Sequence, residues 1–254
     1  MNVSVVIPAH LGSLRFPKKI LYKINGLEMI EHVRRRALLS KKVESVFVAT
    51  PNKEIHELIK SNNGNSILTS KNHTNGTSRV AEAVSKINCS HVIILQGDEP
   101  LILPTYIDKM VAAIKNRRNN QYIWNAVAPI IKSKDLNDKS IVKCFINKNK
   151  IMFCFRKSPF VMNSSDQKRI VKKILGLIAF ERKILKQFAN MPKQDIETLE
   201  SIEQMRLIEL DKNITPVGMD KSLPSINIYG DEKAVNKELK LKEQKLIFDK
   251  IFKN

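Results

Sequence analysis

At 254 residues and 43% hydrophobic content, the chain is large enough for one sizeable core, alone or with a smaller appendage, and too small for several independent domains. No run approaches the roughly 18 to 20 apolar residues that span a bilayer, so membrane insertion is not expected. The formal charge of +19 comes from scattered lysines and arginines, with aromatics at 6% and no nucleic-acid-binding motif, so it implies a field that draws polyanionic substrates rather than a nucleic-acid partner.

Met1 to Pro8 reads as a first strand, Val3 to Ile7 at its centre, and not as a signal peptide, which predicts a cytoplasmic protein. Leu27 to Leu39 has near-helical apolar spacing at Ile30, Val33, Ala37 and Leu38. Val46 to Ala49 is the next strand, and a second helix opens over Pro51 to Ile59 after Thr50. A short strand at Ser66 to Thr69, a helix over Thr77 to Ile87, a strand at His91 to Leu95, a helix from Pro104 to about Lys115 and a strand at Tyr122 to Pro129 follow. This alternation predicts a mostly parallel Rossmann-like α/β sheet with helices on both faces.

From about Lys132 the rhythm breaks. Strand-like pieces at Ile141 to Phe145 and Ile151 to Phe155, a polar loop at Asn163 to Lys168, an apolar piece at Ile174 to Phe180 and a helical stretch at Ile196 to Leu210 make residues 132–210 a smaller α+β subdomain inserted in a single domain of residues 1–254. Such a subdomain walls a substrate pocket or builds a dimer contact. The tail adds a strand near Ile226 to Ile228 and a charged helix from Glu232 onward. Cys89, Cys144 and Cys154 are an odd set without Cys-x-x-Cys spacing, which predicts small reduced hydrophobes rather than disulfides or a zinc site.

Three segments carry chemistry. Leu95-Gln96-Gly97-Asp98-Glu99-Pro100 sets two carboxylates just past a buried strand, where α/β sheets open their crevices, and makes Asp98 a candidate metal ligand; helix capping is the alternative for this pair. The loop Pro8 to Leu21 offers Arg15, Lys18 and Lys19 to phosphates, with Gly12 and Ser13 permitting close backbone approach, and it is neither a Walker loop nor a dinucleotide fingerprint. His73-Thr74-Asn75-Gly76-Thr77-Ser78-Arg79 opens a helix whose N–H groups and hydroxyls suit a base, ribose or anion, or else Asn75 or Thr77 simply caps it.

In this order the segments resemble the 3-deoxy-manno-octulosonate (Kdo) cytidylyltransferases, also called CMP-Kdo synthetases, within the CMP-sugar-acid synthetases. The family's Ile-Pro-Ala-Arg-x-x-Ser-x-Arg-Leu-Pro-Gly-Lys-x-Leu falls on Ile7 to Leu21, its His-x-Ser-Gly-Thr-x-Arg on His73 to Arg79, and its Glu-Gln-Leu-Arg on Glu203 to Arg206. Its Gln-Gly-Asp-Glu-Pro is identical to Gln96 to Pro100. The resemblance covers nearly the whole chain and implies a nucleotidyltransferase that moves CMP from CTP to the anomeric hydroxyl of an acidic 2-keto sugar, with pyrophosphate leaving. It further implies Mg2+, a homodimer and a place in lipopolysaccharide or other cell-surface glycan synthesis. Carried over by position, it makes Arg15, Lys19 and Asp98 catalytic and gives Pro8, Ala9, His10, Ser13, Asn75, Gly76 and Thr77 to the nucleotide. Arg79, Gln96, Glu203 and Gln204 go to the sugar acid, and Asp98 with Asn227 to the metal.

The chain departs from the family pattern at several of these positions. His10 replaces an arginine, Lys18 a glycine and Asn75 a serine. Asn227 stands for an aspartate if Ile226 to Asp231 aligns with Val-Asp-Thr-Pro-Glu-Asp, with Asp231 as a nearby carboxylate. Ile174 and Phe155 replace a sugar-side histidine and serine. The nucleotide half follows the pattern more closely than the sugar half. Two alternatives therefore stand beside Kdo activation: the same reaction on another 2-keto sugar acid of nonulosonate type, and a non-catalytic nucleotide- or polyanion-binding paralogue.

Overall fold

The computed structural model describes residues 1–157 and 170–252, so the polar loop expected at Asn163 to Lys168 lies outside the described residues. The chain divides into two compact units, one of Met1–Val111 with Leu223–Asn254 and one of Ala112–Ser222, which contains residues 132–210.

The first unit is built on strands that bury nearly every side chain. β1 (Val3–Pro8) is buried at all six positions. A two-residue hairpin of β2 (Lys23–Ile24) and β3 (Leu27–Glu28) then takes the first two residues of the expected helix, so α1 begins at Met29 and runs to Leu38. β4 (Ser45–Thr50), α2 (Lys53–Ser61), β5 (Asn65–Leu68), α3 (Gly76–Ala83), β6 (His91–Leu95) and α4 (Pro104–Lys115) follow. β6, β1, β4 and β5 pair in that order, all parallel. Runs such as Val-Ile-Ile suit such strands because both faces are covered by helices. The chain steps from β1 to β4 to β5 in one direction and then returns to place β6 on the other side of β1. Right-handed crossovers thus put α1 and α2 on one face and α3 on the other, and the carboxyl ends of β1 and β6 border the crevice at the reversal.

In the second unit β7 (Ile123–Pro129) pairs antiparallel with β10 (Val171–Glu181) and parallel with β11 (Thr215–Gly218). A hairpin of β8 (Lys143–Ile146) and β9 (Ile151–Phe155) joins β10 through β8. Trp124, Phe155, Phe180 and Phe188 are among its fully buried side chains. The helix expected over Ile196 to Leu210 is two helices, Asp195–Glu200 and Glu203–Glu209, because Ser201 adopts a left-handed conformation (φ 53°) and ends the first. Glu209 then caps the first helix by accepting the Ile196 and Glu197 N–H groups, both at 3.0 Å.

The chain returns to the first unit through Leu223 and two helices, Glu232–Leu239 and Lys242–Phe252. Buried Gln244 binds Leu101 O (3.0 Å) and the Arg36 guanidinium (2.7 Å), which fastens the last helix to α1. Ile226 to Ile228 is not the strand expected from its isoleucines. The Asn227 and Ile228 N–H groups donate to the Asp231 carboxylate (2.7 and 3.0 Å), so this backbone is satisfied in a turn and has no ladder to join. The three cysteines are free and buried, and burial pushes the Cys144 thiol up to about 12.

Candidate active site

Beyond Pro8 and Leu95 the backbones of β1 and β6 leave the sheet and come close together. A Cβ on Gly97 would sit 3.0 Å from Ile20 Cδ1 and 3.3 Å from the Pro8 carbonyl, and one on Gly76 would sit 3.0 Å from Pro8 Cγ. The two glycines thus let the strand end and the second loop approach the first loop. Between them opens a cleft of about 170 Å³ lined by Pro8, His10, Ser13 and Lys19, by Asn75, Gly76 and Arg79, and by Gln96 and Asp98. His73, Thr74, Gly97 and Ile20 complete it.

At its centre Lys19 Nζ donates to Asp98 Oδ2 at 2.7 Å, with the side chains 14% and 25% exposed. The same ammonium donates to Ile226 O (3.3 Å), and the Ile226 N–H donates to Asp98 O (3.2 Å), so the returning chain clasps both partners. Asp98 Oδ1 makes no hydrogen bond among the described residues. Lys18 sits in left-handed backbone (φ 53°, ψ 24°) where the family pattern carries glycine, a conformation costing a side-chain-bearing residue about 1–2 kcal/mol. Its ammonium pairs with Glu54 at 3.2 Å on the surface.

His10 Nδ1 accepts the Gly12 N–H at 3.1 Å, which leaves Nε2 as the hydrogen-bearing nitrogen of the neutral ring. Burial, then Arg79 and Lys19, lower its pKa below the ordinary 6.5 against the pull of Asp98, so it is neutral near pH 7. Asn75 does cap α3: its Oδ1 accepts the Ser78 N–H at 2.8 Å, and it lines the cleft as well. Arg79 is 4% exposed and donates through Nη1 to Thr69 Oγ1 (2.8 Å) and Ser70 O (3.0 Å). Its other guanidinium nitrogens make no hydrogen bond among the described residues, which leaves donors for an anion.

The remaining candidates lie elsewhere. Ala9 is buried and ties the loop root to β4 through its N–H to Ala49 O (2.9 Å), and Thr77 is buried on α3. Arg15 is exposed and does not line the cleft. Asn227 lies beside Ile226, its Nδ2 donating to Ser225 Oγ (3.1 Å), and Asp231 is committed to the turn it caps. Glu203 and Gln204 belong to the second unit, where Gln204 donates to Asn125 Oδ1 (2.9 Å) and buried Asn125 donates to Leu175 O and Leu177 O. His73 and the Ile226 carbonyl were not foreseen. His73 stands in a motif read from the sequence, but its partner Glu82 is nine residues on and carries no visible signal of pairing.

A family model described as cytidylyltransferase matches residues 4–214. The chain belongs to this family. Among its curated relatives is the 8-amino-3,8-dideoxy-manno-octulosonate cytidylyltransferase of Shewanella pealeana, 37% identical over 214 residues, which cover 82% of this chain and 86% of the relative. The 3-deoxy-manno-octulosonate cytidylyltransferase of Thermodesulfovibrio yellowstonii is 37% identical over 221 residues, 80% of this chain and 85% of the relative. A solved CMP:2-keto-3-deoxy-manno-octonic acid synthetase complexed with CTP superimposes with a TM-score of 0.87 at 28% identity, covering 94% of this chain and 98% of that one. The cytidylyltransferase thus has the mostly parallel α/β nucleotidyltransferase fold that its strand and helix alternation predicts. No helix among the described residues is long and apolar enough to cross a membrane.

Proposed function

We propose that this cytidylyltransferase transfers CMP from CTP to the anomeric hydroxyl of Kdo or a close analogue such as its 8-amino form. The observation that carries the proposal is the Lys19–Asp98 pair in a cation-lined cleft at the strand reversal, in a chain whose relatives bear those substrate names. The hydroxyl oxygen attacks the α-phosphorus, the bond to the β-phosphate's bridging oxygen breaks, pyrophosphate departs and the hydroxyl proton passes to solvent. Lys19 neutralises charge building on the leaving group, and Arg15, exposed on the same loop and outside the cleft lining, is the second cation proposed to meet it. Asn75, Gly76 and Thr77, with Pro8, Ala9, His10 and Ser13, hold the nucleotide. Arg79 suits the acceptor's carboxylate, with Gln96 beside it in the cleft lining as a further sugar contact.

Mg2+ fits the donor chemistry. Among the described residues no cluster of three or more His, Cys, Asp or Glu forms a protein cage, but magnesium is commonly held by one or two carboxylates plus substrate phosphates. Asp98, with an oxygen to spare, would hold it, and the Asn227 carboxamide would add a neutral oxygen. When bound, the ion supplies charge neutralisation on the phosphate oxygens. A cytoplasmic homodimer serving lipopolysaccharide or related glycan synthesis completes the proposal, and light scattering tests its dimer.

Pyrophosphate release from CTP with Kdo, 8-amino-Kdo and a nonulosonate is the deciding experiment. Turnover should be fastest with one of the first two and should require Mg2+. Preference for the nonulosonate would favour the second reading, which Ile174 and Phe155 motivate. CTP binding without turnover on any acceptor would leave a non-catalytic paralogue.

A further inference from the structure

The second loop is braced by a carboxylate that is not among the residues lining the cleft. Glu82, on α3, accepts through Oε2 both the Nε2–H of His73 (2.5 Å) and the Ser70 N–H (2.9 Å). An ionised carboxylate only accepts, so the shared hydrogen starts on His73 Nε2. His73 Nδ1 then accepts the Ser78 hydroxyl (3.1 Å), and the Ser78 N–H donates to Asn75 Oδ1 (2.8 Å). On the other arm, the Ser70 carbonyl accepts Arg79 Nη1 at 3.0 Å. Two hydrogen-bonded paths thus leave one carboxylate oxygen, and they end on Asn75 and Arg79, which both line the cleft.

Burial works against charge on Glu82, yet the His73 and Ser70 hydrogen bonds outweigh it and hold its pKa below the ordinary carboxylate value. The Glu-His-Ser order has the outline of a nucleophile relay, but Ser78 does not line the cleft and its N–H is bonded to Asn75. The arrangement is a brace.

We infer that Glu82 is a positioning residue for the proposed transfer, setting Arg79 toward the acceptor's carboxylate through Ser70 and setting the nucleotide-side cap through His73. The inference rests on the functional reading above and adds a residue that touches neither substrate. Misplacing a binding group by about 1 Å can cost on the order of a hundredfold, so loss of the brace should be felt in catalysis although Glu82 is remote from it.

The test compares Glu82→Ala, Glu82→Gln and Glu82→Asp in the full chain by steady-state kinetics and by 15N NMR of the His73 ring without substrate. Glu82→Ala should raise KM for the acid sugar by about tenfold or more, exceed any rise in KM for CTP, and abolish the Nε2–H resonance. Glu82→Gln keeps a carboxamide oxygen at the same reach and should restore both readouts; Glu82→Asp, one methylene short, should restore neither fully. If Glu82→Ala fails to fold, the order of the other two decides, and better function in Glu82→Asp than in Glu82→Gln overturns the inference. Unchanged KM values and an unchanged His73 resonance in Glu82→Ala also overturn it. Absence of turnover in the wild-type chain would instead sink the functional reading, since the NMR readout needs no substrate.

Discussion

The two loops that frame the cleft are held by different means. The first is rooted by buried Phe16 and Ile20, but its lysines are held by acids: Lys19 by Asp98 and Lys18 by Glu54. The second is held by short-range hydrogen bonds within residues 69–82, Asn75 to the Ser78 N–H, His73 to Glu82 and Arg79 to Thr69 and Ser70. A triphosphate competes directly for the first loop's charges and leaves the second loop's bonds in place. The first loop is therefore the side where partners exchange, and the second is a surface built before substrate arrives.

Breaking the exchanging side should have the largest effect. Asp98→Asn should abolish pyrophosphate release while melting close to the wild type, because it removes the carboxylate that would hold the metal and balances Lys19. Turnover undiminished in that variant would end the assignment. Lys19→Ala should lower kcat roughly a hundredfold or more, corresponding to about 2.7–4 kcal/mol of lost transition-state stabilisation. A rise confined to KM for CTP would show that Lys19 grips ground and transition states equally.

His10 adds a pH-dependent element to the same side. Free, its pKa is lowered by burial, Arg79 and Lys19, and a bound triphosphate must raise it. CTP affinity attributable to His10 should therefore increase as pH falls through the pKa of the complex and level off below that of the free protein. His10→Arg should remove this component, leaving only the titration of CTP itself, as calorimetry at several pH values would show.

On the built side, Asn75→Ala removes an N-cap and should cost about 1 kcal/mol of stability, seen as a lower urea midpoint with unchanged slope. The smallest effect is expected from Lys18→Gly. It relieves left-handed strain of about 1–2 kcal/mol but gives back about 0.5–1 kcal/mol in chain entropy, and the exposed pair with Glu54 contributes little. A modest gain in melting temperature should result, and a loss would mean that the Glu54 contact matters more than its exposure suggests.

These two sides were unequally legible from sequence. Asp98 was readable because an apolar run followed by a carboxylate pair places a polar group at a strand end, which is a local pattern. The parallel sheet was readable for the same reason, from alternating strand and helix periods. Ile226 to Ile228 has the composition of a strand, yet Asp231 captures its N–H groups, a competition that β-propensity does not register. Ser201 breaks a helical pattern through a backbone angle that serine rarely adopts. The resemblance gives Arg79 to the sugar acid, and only the folded loop shows that one arm of its guanidinium is spent on Thr69 and Ser70.

The clasp between Lys19 and the Ile226 carbonyl joins residues 207 positions apart in the chain. During synthesis at about 5–20 residues per second, the ammonium waits roughly 10–40 s for that carbonyl to be made. The cleft's floor is thus assembled early and its fastening late, so a nascent chain stalled before Leu223 would display the strand ends and both loops without the segment that clasps them.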